Sequence, residues 1–127
     1  MEVFSAKKLL ESRARIRPHL HLTPVLKSQQ LNEIAGIELY FKCENFQKTG
    51  SFKARGATNA VLQLDEEAKK AGVATHSSGN HGQALAWAAS KLGVPCHVVM
   101  PSNAPAVKVA AVKSYQATVH FCEPNLA

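Results

Sequence analysis

The sequence has little of what several functional classes require. Its 127 residues hold only 3 cysteines and 6% aromatic residues, and no apolar run approaches the ~20 residues that a membrane span needs. Cys43, Cys96 and Cys122 form no Cys-x-x-Cys pair. This argues against a disulfide framework or a zinc ribbon and predicts core cysteines in a reducing compartment. No signal-peptide pattern opens the sequence, so the predicted location is the cytoplasm, without a membrane partner.

Basic residues are in excess but are not concentrated. The formal net charge is +6, and the 15 lysines and arginines are spread along the chain without a long basic run. A nucleic-acid binder would need a basic patch and, for single strands, aromatic side chains on which bases stack. The sequence therefore predicts a solvated basic surface and no nucleic-acid partner. A hydrophobic content of 46% is enough for a buried core of ordinary domain size.

Hydrophobic periodicity predicts alternating helices and strands. Helices are predicted over residues 3–16, 52–64, from the end of the 77–82 loop to Gly93, and 105–115; strands are predicted over residues 37–43, 73–76, 96–100 and 117–122. The strand at 37–43 has the two-residue alternation of a half-buried strand. Strand, helix, strand, helix, strand with short connections indicates an α/β fold with a parallel sheet and flanking helices.

One lysine stands in an unusual setting. Lys53 follows a turn at residues 48–50 and a candidate N-cap, Ser51, and it lies beside Phe52 in the first turn of the predicted helix. The positive end of a helix dipole disfavours an ammonium, which suits a lysine that works as a neutral amine or a Schiff base. On these local features alone, a solvated surface lysine is the commoner explanation.

A small, polar loop connects the predicted strand at 73–76 to the next helix. Its sequence is Ser77-Ser78-Gly79-Asn80-His81-Gly82. Free backbone N–H groups at a helix N-terminus would bind a carboxylate or a phosphate. An N-cap in a tight turn without any ligand is the alternative explanation of the same residues.

Taken together, the two segments are more specific than either alone. Ser-Phe-Lys-x-Arg-Gly-Ala at residues 51–57 and Ser-Ser-Gly-Asn-His-Gly-Gln-Ala at 77–84 resemble the fold-type II pyridoxal-phosphate (PLP) enzymes, the tryptophan-synthase-β-like group. Within that group they resemble the serine racemase and threonine dehydratase family. Segments 21–26 and 100–108 match the same family. The resemblance implies that residues 1–64 are the N-terminal part of the large domain, which carries the PLP lysine, and that residues 65–127 are part of the small α/β domain.

The resemblance also implies roles for individual residues. Lys53 would bind PLP covalently and act as the base on the si face of the substrate α-carbon. Phe52 would lie beside the cofactor, and Asn80 would hydrogen-bond the phenolic oxygen of the pyridine ring. An amino-acid substrate would bind at the loop, through Ser77, Ser78, Gly79, Asn80 and His81.

Ser78 divides two activities within this family. Serine racemases carry Ser at this position as the acid or base on the re face, whereas biosynthetic threonine dehydratases usually carry Ala. The resemblance therefore favours interconversion of L- and D-serine, with β-elimination of serine to pyruvate and ammonia. An L-threonine or L-serine dehydratase is the alternative, and Asn45 counts slightly for it.

Animal members of the family also bind ATP and Mg²⁺ or Ca²⁺. The positions that align with nucleotide contacts are Ser28, Gln29, Gln30, Lys48, Thr49, Gln83 and Tyr115. Gln29 replaces a usual Ser, and Gln116 replaces a Gly whose turn tolerates positive φ. Carboxylate ligands for the divalent cation are expected outside this chain. His19 and His21 lack a third ligand, so no metal site is predicted within it.

The resemblance further implies a longer, homodimeric protein. The family's glycine-rich phosphate loop and its partner for the pyridine nitrogen are absent from the sequence, and so is the helix that should follow the last strand. We therefore expect an N-terminal fragment with an incomplete sheet, which alone lacks useful activity. A short, non-catalytic product that binds PLP weakly is the alternative.

Overall fold

A computed structural model describes residues 5–124, which form six α-helices and five strands. The helices are α1 Ala6–Ile16, α2 Gln29–Ala35, α3 Lys53–Val61, α4 Glu66–Ala71, α5 Asn80–Lys91 and α6 Ala106–Ser114. The strands are β1 Val25–Leu26, β2 Phe41–Lys42, β3 Val73–His76, β4 Cys96–Pro101 and β5 Thr118–Cys122. Three short 3₁₀ helices lie at Arg17–His19, Glu44–Phe46 and Lys48–Gly50. Residue 3, where the first helix was predicted to begin, lies outside the described residues.

The C-terminal half is a parallel sheet in the order β3-β4-β5, as the sequence predicts. Helices α5 and α6 form the two crossovers, and they pack against each other and against the strands. Along β4 the side chains alternate, so that Cys96, Val98 and Met100 are buried while His97 is exposed. One face of the sheet therefore belongs to the core, and the opposite face is exposed within residues 5–124.

Helix α5 lies at the centre of the core. The sequence predicts its buried face at Leu85, Ala88, Ala89 and Leu92. The structure buries the first three together with Ala86 and Trp87, whereas Leu92 is half-buried just after the end of the helix. A helix that is apolar on all sides is enclosed. Here α3 packs on one side of α5 and the sheet on another. Gly93 follows α5 at φ +68°, which confirms its predicted role as the stop.

Helix α3 buries a different face from the one that its apolar repeat at Phe52, Gly56, Ala60, Val61 and Leu64 predicts. Its buried residues are Ala54, Ala57, Thr58 and Val61, whereas Phe52 is 58% exposed. The N-cap prediction is wrong: Phe52 takes that position without a side-chain hydrogen bond, and the Ser51 hydroxyl is buried with no partner among residues 5–124. The predicted domain boundary after residue 64 falls between α3 and α4, and it stays a prediction.

The strand predicted over residues 37–43 is wrong in length and in burial. Only Phe41–Lys42 is a strand, paired antiparallel with Val25–Leu26, and Ile37 is 62% exposed. The N–H of Leu39 donates to Asn32 Oδ1 at 2.9 Å, so a side chain replaces a partner strand there. Helix α2, which the sequence reading missed, precedes this segment between a Ser28 cap and Gly36 at φ +67°.

The core prediction for the cysteines holds only in part. Cys96 is buried, and burial raises the pKa of its thiol, whereas Cys43 and Cys122 are partly exposed. All three are free cysteines. No helix within residues 5–124 is long and apolar enough to cross a bilayer.

Candidate active site

Lys53 is the first residue of α3 and opens into a cleft. Its Nζ lies 5.1 Å from the centroid of the exposed Phe52 ring. The cleft has a volume of about 310 Å³ and is lined by Phe52, Lys53, Arg55, Gly56, Ala57 and His81. His81 belongs to the first turn of α5. The packing of α3 on α5 thus brings two separate predicted segments, the lysine turn and the polar loop, to one surface.

Hydrogen bonds of Ser77 fix the conformation of the polar loop. Its hydroxyl accepts the N–H groups of Gly79 at 3.3 Å and Gly82 at 3.1 Å, and its own N–H donates to the carbonyl of Val99 at 3.0 Å. These bonds tie the loop to β4. The N–H groups of Asn80 and His81 have no protein acceptor in the described part of the chain, so they remain available to an anion at the N-terminus of α5.

Position 82 requires Gly because the backbone of Ser77 lies too close for a side chain, and not because the chain must be flexible there. A Cβ at this position would lie 2.7 Å from the carbonyl oxygen of Ser77 and 3.1 Å from Val98 Cγ1. Any side chain would therefore push the loop away from the sheet. The sequence marks Gly82 only as the end of the loop, whereas in the structure its lack of a side chain lets its N–H reach the Ser77 hydroxyl at 3.1 Å.

A partly buried ion pair fixes α3 close to Lys53. Arg55 donates to Glu44 through Nε at 2.8 Å and Nη2 at 2.7 Å, and the Thr23 hydroxyl donates to Glu44 Oε1 at 2.6 Å. The Arg55 guanidinium is the main cause that lowers the pKa of Glu44 to about 2. Lys42 Nζ donates to the Thr23 carbonyl at 2.7 Å. This network joins the segment before β1 to the helix that carries Lys53.

Gln47 makes a second set of hydrogen bonds to the segment before β1. Its buried amide accepts the N–H of His21 at 3.0 Å and donates to the His21 carbonyl at 2.8 Å. The His21 ring donates from Nδ1 to the carbonyl of Phe46 at 3.0 Å. In the sequence, residues 21–26 are a family marker and His21 is considered as a metal ligand, but no contact between His21 and Gln47 is predicted. Nothing in their spacing shows that they pair, because the partners are 26 residues apart.

The predicted nucleotide-binding residues fall in three places. The 3₁₀ turn with Lys48 and Thr49 packs against α5, which contains Gln83. Ser28, Gln29 and Gln30 stand at the start of α2, where the Ser28 hydroxyl caps the helix and the Gln29 amide donates to Glu33. Tyr115 lines a different cleft, with Ser90 and Gln116, near the other end of α5. Within residues 5–124 these groups do not form one site.

Ser78 and Asn80 make no side-chain hydrogen bond to the protein within residues 5–124. Ser78 is partly buried, and Asn80 and His81 are exposed. Their side chains are therefore free to contact a ligand above the N-terminus of α5. Across the described residues, no three His, Cys, Asp or Glu side chains are grouped to hold a metal ion.

Comparison with known proteins places this arrangement in a family. A family model described as pyridoxal-phosphate dependent enzyme matches residues 16–127. The serine racemase of Dictyostelium discoideum is 54% identical over 126 residues, which cover 99% of this chain and 39% of that protein. A beta-hydroxyaspartate dehydratase of Paracoccus denitrificans is 49% identical over 125 residues, which cover 98% of this chain and 40% of that protein.

The backbone agrees with the sequence match. The crystal structure of the Dictyostelium discoideum serine racemase superimposes with a TM-score of 0.90 at 56% identity, over 94% of this chain and 39% of that one. The chain thus spans about two fifths of the length of these relatives. The predicted α/β fold of the fold-type II group is confirmed by this likeness and by the parallel sheet.

Proposed function

The chain belongs to the family of pyridoxal-phosphate-dependent enzymes, and from that premise we propose that Lys53 is the residue that holds the cofactor. Lys53 presents a primary amine to an open cleft, and Gly56 and Ala57 keep that cleft free of bulky side chains. Phe52 offers a flat apolar surface next to the amine. These groups fit a planar pyridine aldehyde. When bound, pyridoxal phosphate supplies an electron sink that stabilises negative charge at the substrate α-carbon.

The reaction that this site supports best is interconversion of L- and D-serine, with β-elimination of serine to pyruvate and ammonia. The observation that carries the proposal is that Lys53 and the first turn of α5 line the same cleft. The free N–H groups at the start of α5 would hold the substrate carboxylate, together with Ser77, Gly79 and His81. Asn80 would donate to the cofactor's phenolic oxygen. Lys53 and Ser78 would then move the α-proton from opposite faces.

A dehydratase acting on L-threonine or L-serine is the second candidate. It is favoured by the 49% identity to a protein named beta-hydroxyaspartate dehydratase. Elimination and racemisation begin with the same removal of the α-proton, and they differ in whether a second acid returns it on the opposite face. The effect of replacing Ser78 on D-serine and pyruvate formation therefore separates the two candidates.

Lys53 is tested first by trapping the cofactor. We expect reduction with borohydride in the presence of PLP to attach the cofactor to Lys53, as read by peptide mass mapping. Lys53→Ala should abolish the trapped adduct, because the other lysines do not line this cleft. Lys91→Ala, at the exposed end of α5, is the matched control and should trap as the wild type does. An adduct mapped to another lysine in the wild type would reject the assignment.

The reaction itself is tested in the intact protein that carries this chain. D-serine and pyruvate are measured together from L-serine at saturating concentration. Formation of both products supports the racemase, while pyruvate without D-serine supports the dehydratase. Neither product from the untreated protein, when a separate sample of the same preparation gives the borohydride adduct at Lys53, would reject both activities and leave the non-catalytic PLP binder.

The family resemblance leads to further proposals about nucleotide binding, activation, assembly and location. We propose ATP binding through the set that includes Lys48, Thr49 and Gln83, activation by Mg²⁺ or Ca²⁺, a cytoplasmic homodimer, and no nucleic-acid partner. The packing of the 48–50 turn on α5 supports the nucleotide proposal. Calorimetric titration of the intact protein with ATP and Mg²⁺ tests binding. Sedimentation of the same protein tests whether it is a dimer. Unchanged affinity in Lys48→Ala would remove the turn from the nucleotide site.

A further inference from the structure

The helix that carries Lys53 begins without a local cap. Phe52 takes the N-cap position of α3 and makes no side-chain hydrogen bond, and the buried Ser51 hydroxyl has no partner among residues 5–124. The bond from the N–H of Ala54 to the Ser51 carbonyl is long, at 3.4 Å. Because an N-cap normally fixes the first turn of a helix, the direction of this turn is set by other contacts.

Two side chains from outside the helix hold the turn. Arg55, in the same turn as Lys53, donates to Glu44 through Nε at 2.8 Å and Nη2 at 2.7 Å, which are the parallel bonds of a bidentate pair. The Thr23 hydroxyl donates to Glu44 Oε1 at 2.6 Å and accepts from Arg55 Nη2 at 3.3 Å. One hydroxyl can do both, since it has a donor and two acceptor lone pairs. Thr23 therefore closes a triangle of hydrogen bonds with Glu44 and Arg55.

Thr23 is itself held firmly in place. The residue is only 3% exposed, and its carbonyl accepts from Lys42 Nζ at 2.7 Å. Two residues earlier, the buried Gln47 amide binds both the N–H and the carbonyl of His21. All of these bonds join residues of the described chain, so they depend on no exposed surface. Thr23 is thus a fixed point against which the first turn of α3 is aligned.

We propose that Thr23 is a positioning residue for Lys53, and that it acts through Glu44 and Arg55 on the direction in which the amine enters the cleft. The inference rests on the proposed function, in which Lys53 holds the cofactor. Loss of the Thr23 hydroxyl leaves the ion pair but removes its link to the segment before β1. A displacement of a reacting group by about 1 Å can lower a rate by as much as about 10²-fold.

The same helix provides a matched control. Arg15 of α1 donates through Nη1 to Asn59 Oδ1 at 2.6 Å, which also ties α3 to another element, but later in the helix than Lys53. If α3 needed only to be anchored, Asn59→Ala would act as Thr23→Val does. If the direction of the first turn matters, only the contact at Thr23 affects Lys53.

The test measures how fast PLP attaches to Lys53 in the intact protein that carries this chain. The protein is freed of cofactor with hydroxylamine and mixed with PLP, and samples are quenched with borohydride at set times. Peptide mass mapping quantifies the adduct at Lys53, and far-UV circular dichroism checks that each variant is folded.

We expect the rate of attachment to fall about tenfold or more in Thr23→Val, which keeps the shape of the side chain without its hydroxyl. Thr23→Ser, which keeps the hydroxyl, and Asn59→Ala should both stay within about twofold of the wild type. The 77–82 loop is held separately, by Ser77 to β4. In Thr23→Val, kcat for pyruvate formation from L-serine should therefore fall while KM changes by less than about twofold.

Arg55→Lys carries the test if Thr23→Val does not fold. It keeps the positive charge but not the two parallel bonds, so it should slow attachment in the same way. An unchanged rate in the variant that carries the test, an equal loss in Asn59→Ala, or no recovery in Thr23→Ser would overturn the proposal while leaving Lys53 as the cofactor residue. A wild-type protein that gives no adduct at Lys53 would overturn the proposed function as well.

Discussion

Ser78 is the residue that separates the two candidate reactions. Racemisation needs one group to remove the α-proton and a second to return it on the opposite face. Of the residues in the two segments, Lys53 and Ser78 are the pair assigned to those faces by the proposal. Ser78→Ala should therefore lower L-to-D interconversion of serine by at least about two orders of magnitude, the usual contribution of a positioned acid or base. Elimination from the enantiomer whose proton faces Lys53 should survive, as measured by pyruvate.

Ser77→Ala is the matched control for that experiment. The Ser77 hydroxyl accepts two backbone N–H groups of the loop, so its loss should disturb the carboxylate site and lower both reactions together, mainly through KM. A Ser78→Ala enzyme with an unchanged ratio of D-serine to pyruvate would reject the two-base role. It would favour the dehydratase.

The backbone of Gln116 is strained, as the replacement of the family's Gly at this position suggests. The family resemblance marks it as a departure from Gly, and the structure holds it at φ +64°, in the left-handed region that costs an L-residue about 1–2 kcal/mol. We expect Gln116→Gly to raise the free energy of unfolding by about 0.5–1 kcal/mol, because the relieved backbone strain exceeds the extra entropy that Gly loses on folding. Urea unfolding of the variant beside Gln116→Ala checks this. Equal stability in the two variants would show that the side chain, not the backbone, sets the cost.

At the scale of elements, the C-terminal half was easier to predict than the N-terminal half. β4 is the central strand and buries Cys96, Val98 and Met100, and α5 is enclosed, so the hydrophobic runs in these elements correspond to tertiary burial. The alternation over 37–43 has no such cause, because Ile37 is exposed and the Leu39 backbone is bound by Asn32. Helix α2 has no buried residue, and its 7 residues place only Leu31, Ile34 and Ala35 at helical spacing. That repeat is too short for periodicity to identify a helix.

The ion pair behind Lys53 predicts a pH dependence of stability. The pKa of Glu44 is about 2 in the folded protein, below its ordinary value of 4.5, chiefly because Arg55 donates to the carboxylate. A depressed pKa contributes stability above the unfolded value, and that stability is lost as the pH falls from about 4.5 toward 2. Allowing for solvent screening, we expect Glu44→Gln to cost about 1–2 kcal/mol at pH 7 and close to nothing near pH 2.

An exposed ion pair in the same chain gives the comparison. Glu66 pairs with Lys69 at 2.7 Å, but its side chain is 82% exposed, so Glu66→Gln should change little at any pH. Urea unfolding of both variants at intervals between pH 7 and 2.5 makes the measurement. A Glu44→Gln cost that stays constant over this range would show that packing, rather than ionisation, holds the segment.

At the scale of the whole molecule, the sequence predicted the two halves of the site but not how they meet. Lys53 and the 77–82 loop stand out by residue type and by family resemblance. Their common cleft depends on the packing of α3 against α5, in which Ala57 and Val61 share a core with the alanines of α5. The buried face of α3 consists mostly of small residues, which show no strong apolar pattern. The Gln47 and Glu44 networks were also beyond sequence reasoning, because each joins segments at least 11 residues apart.

The surface of the molecule predicts association of the 127-residue chain. Leu22, Ile34 and Val107 are 90%, 82% and 74% exposed, and other large apolar side chains on α1, β2 and β5 are also exposed. Exposed apolar surface of this extent promotes self-association. We expect the scattering mass to rise with concentration and the chain to bind a hydrophobic dye. Ile34→Lys and Val107→Lys together should reduce both signals without lowering stability, because neither side chain is packed. A monodisperse monomer at every concentration, with a sharp two-state thermal transition and no dye binding, would contradict this.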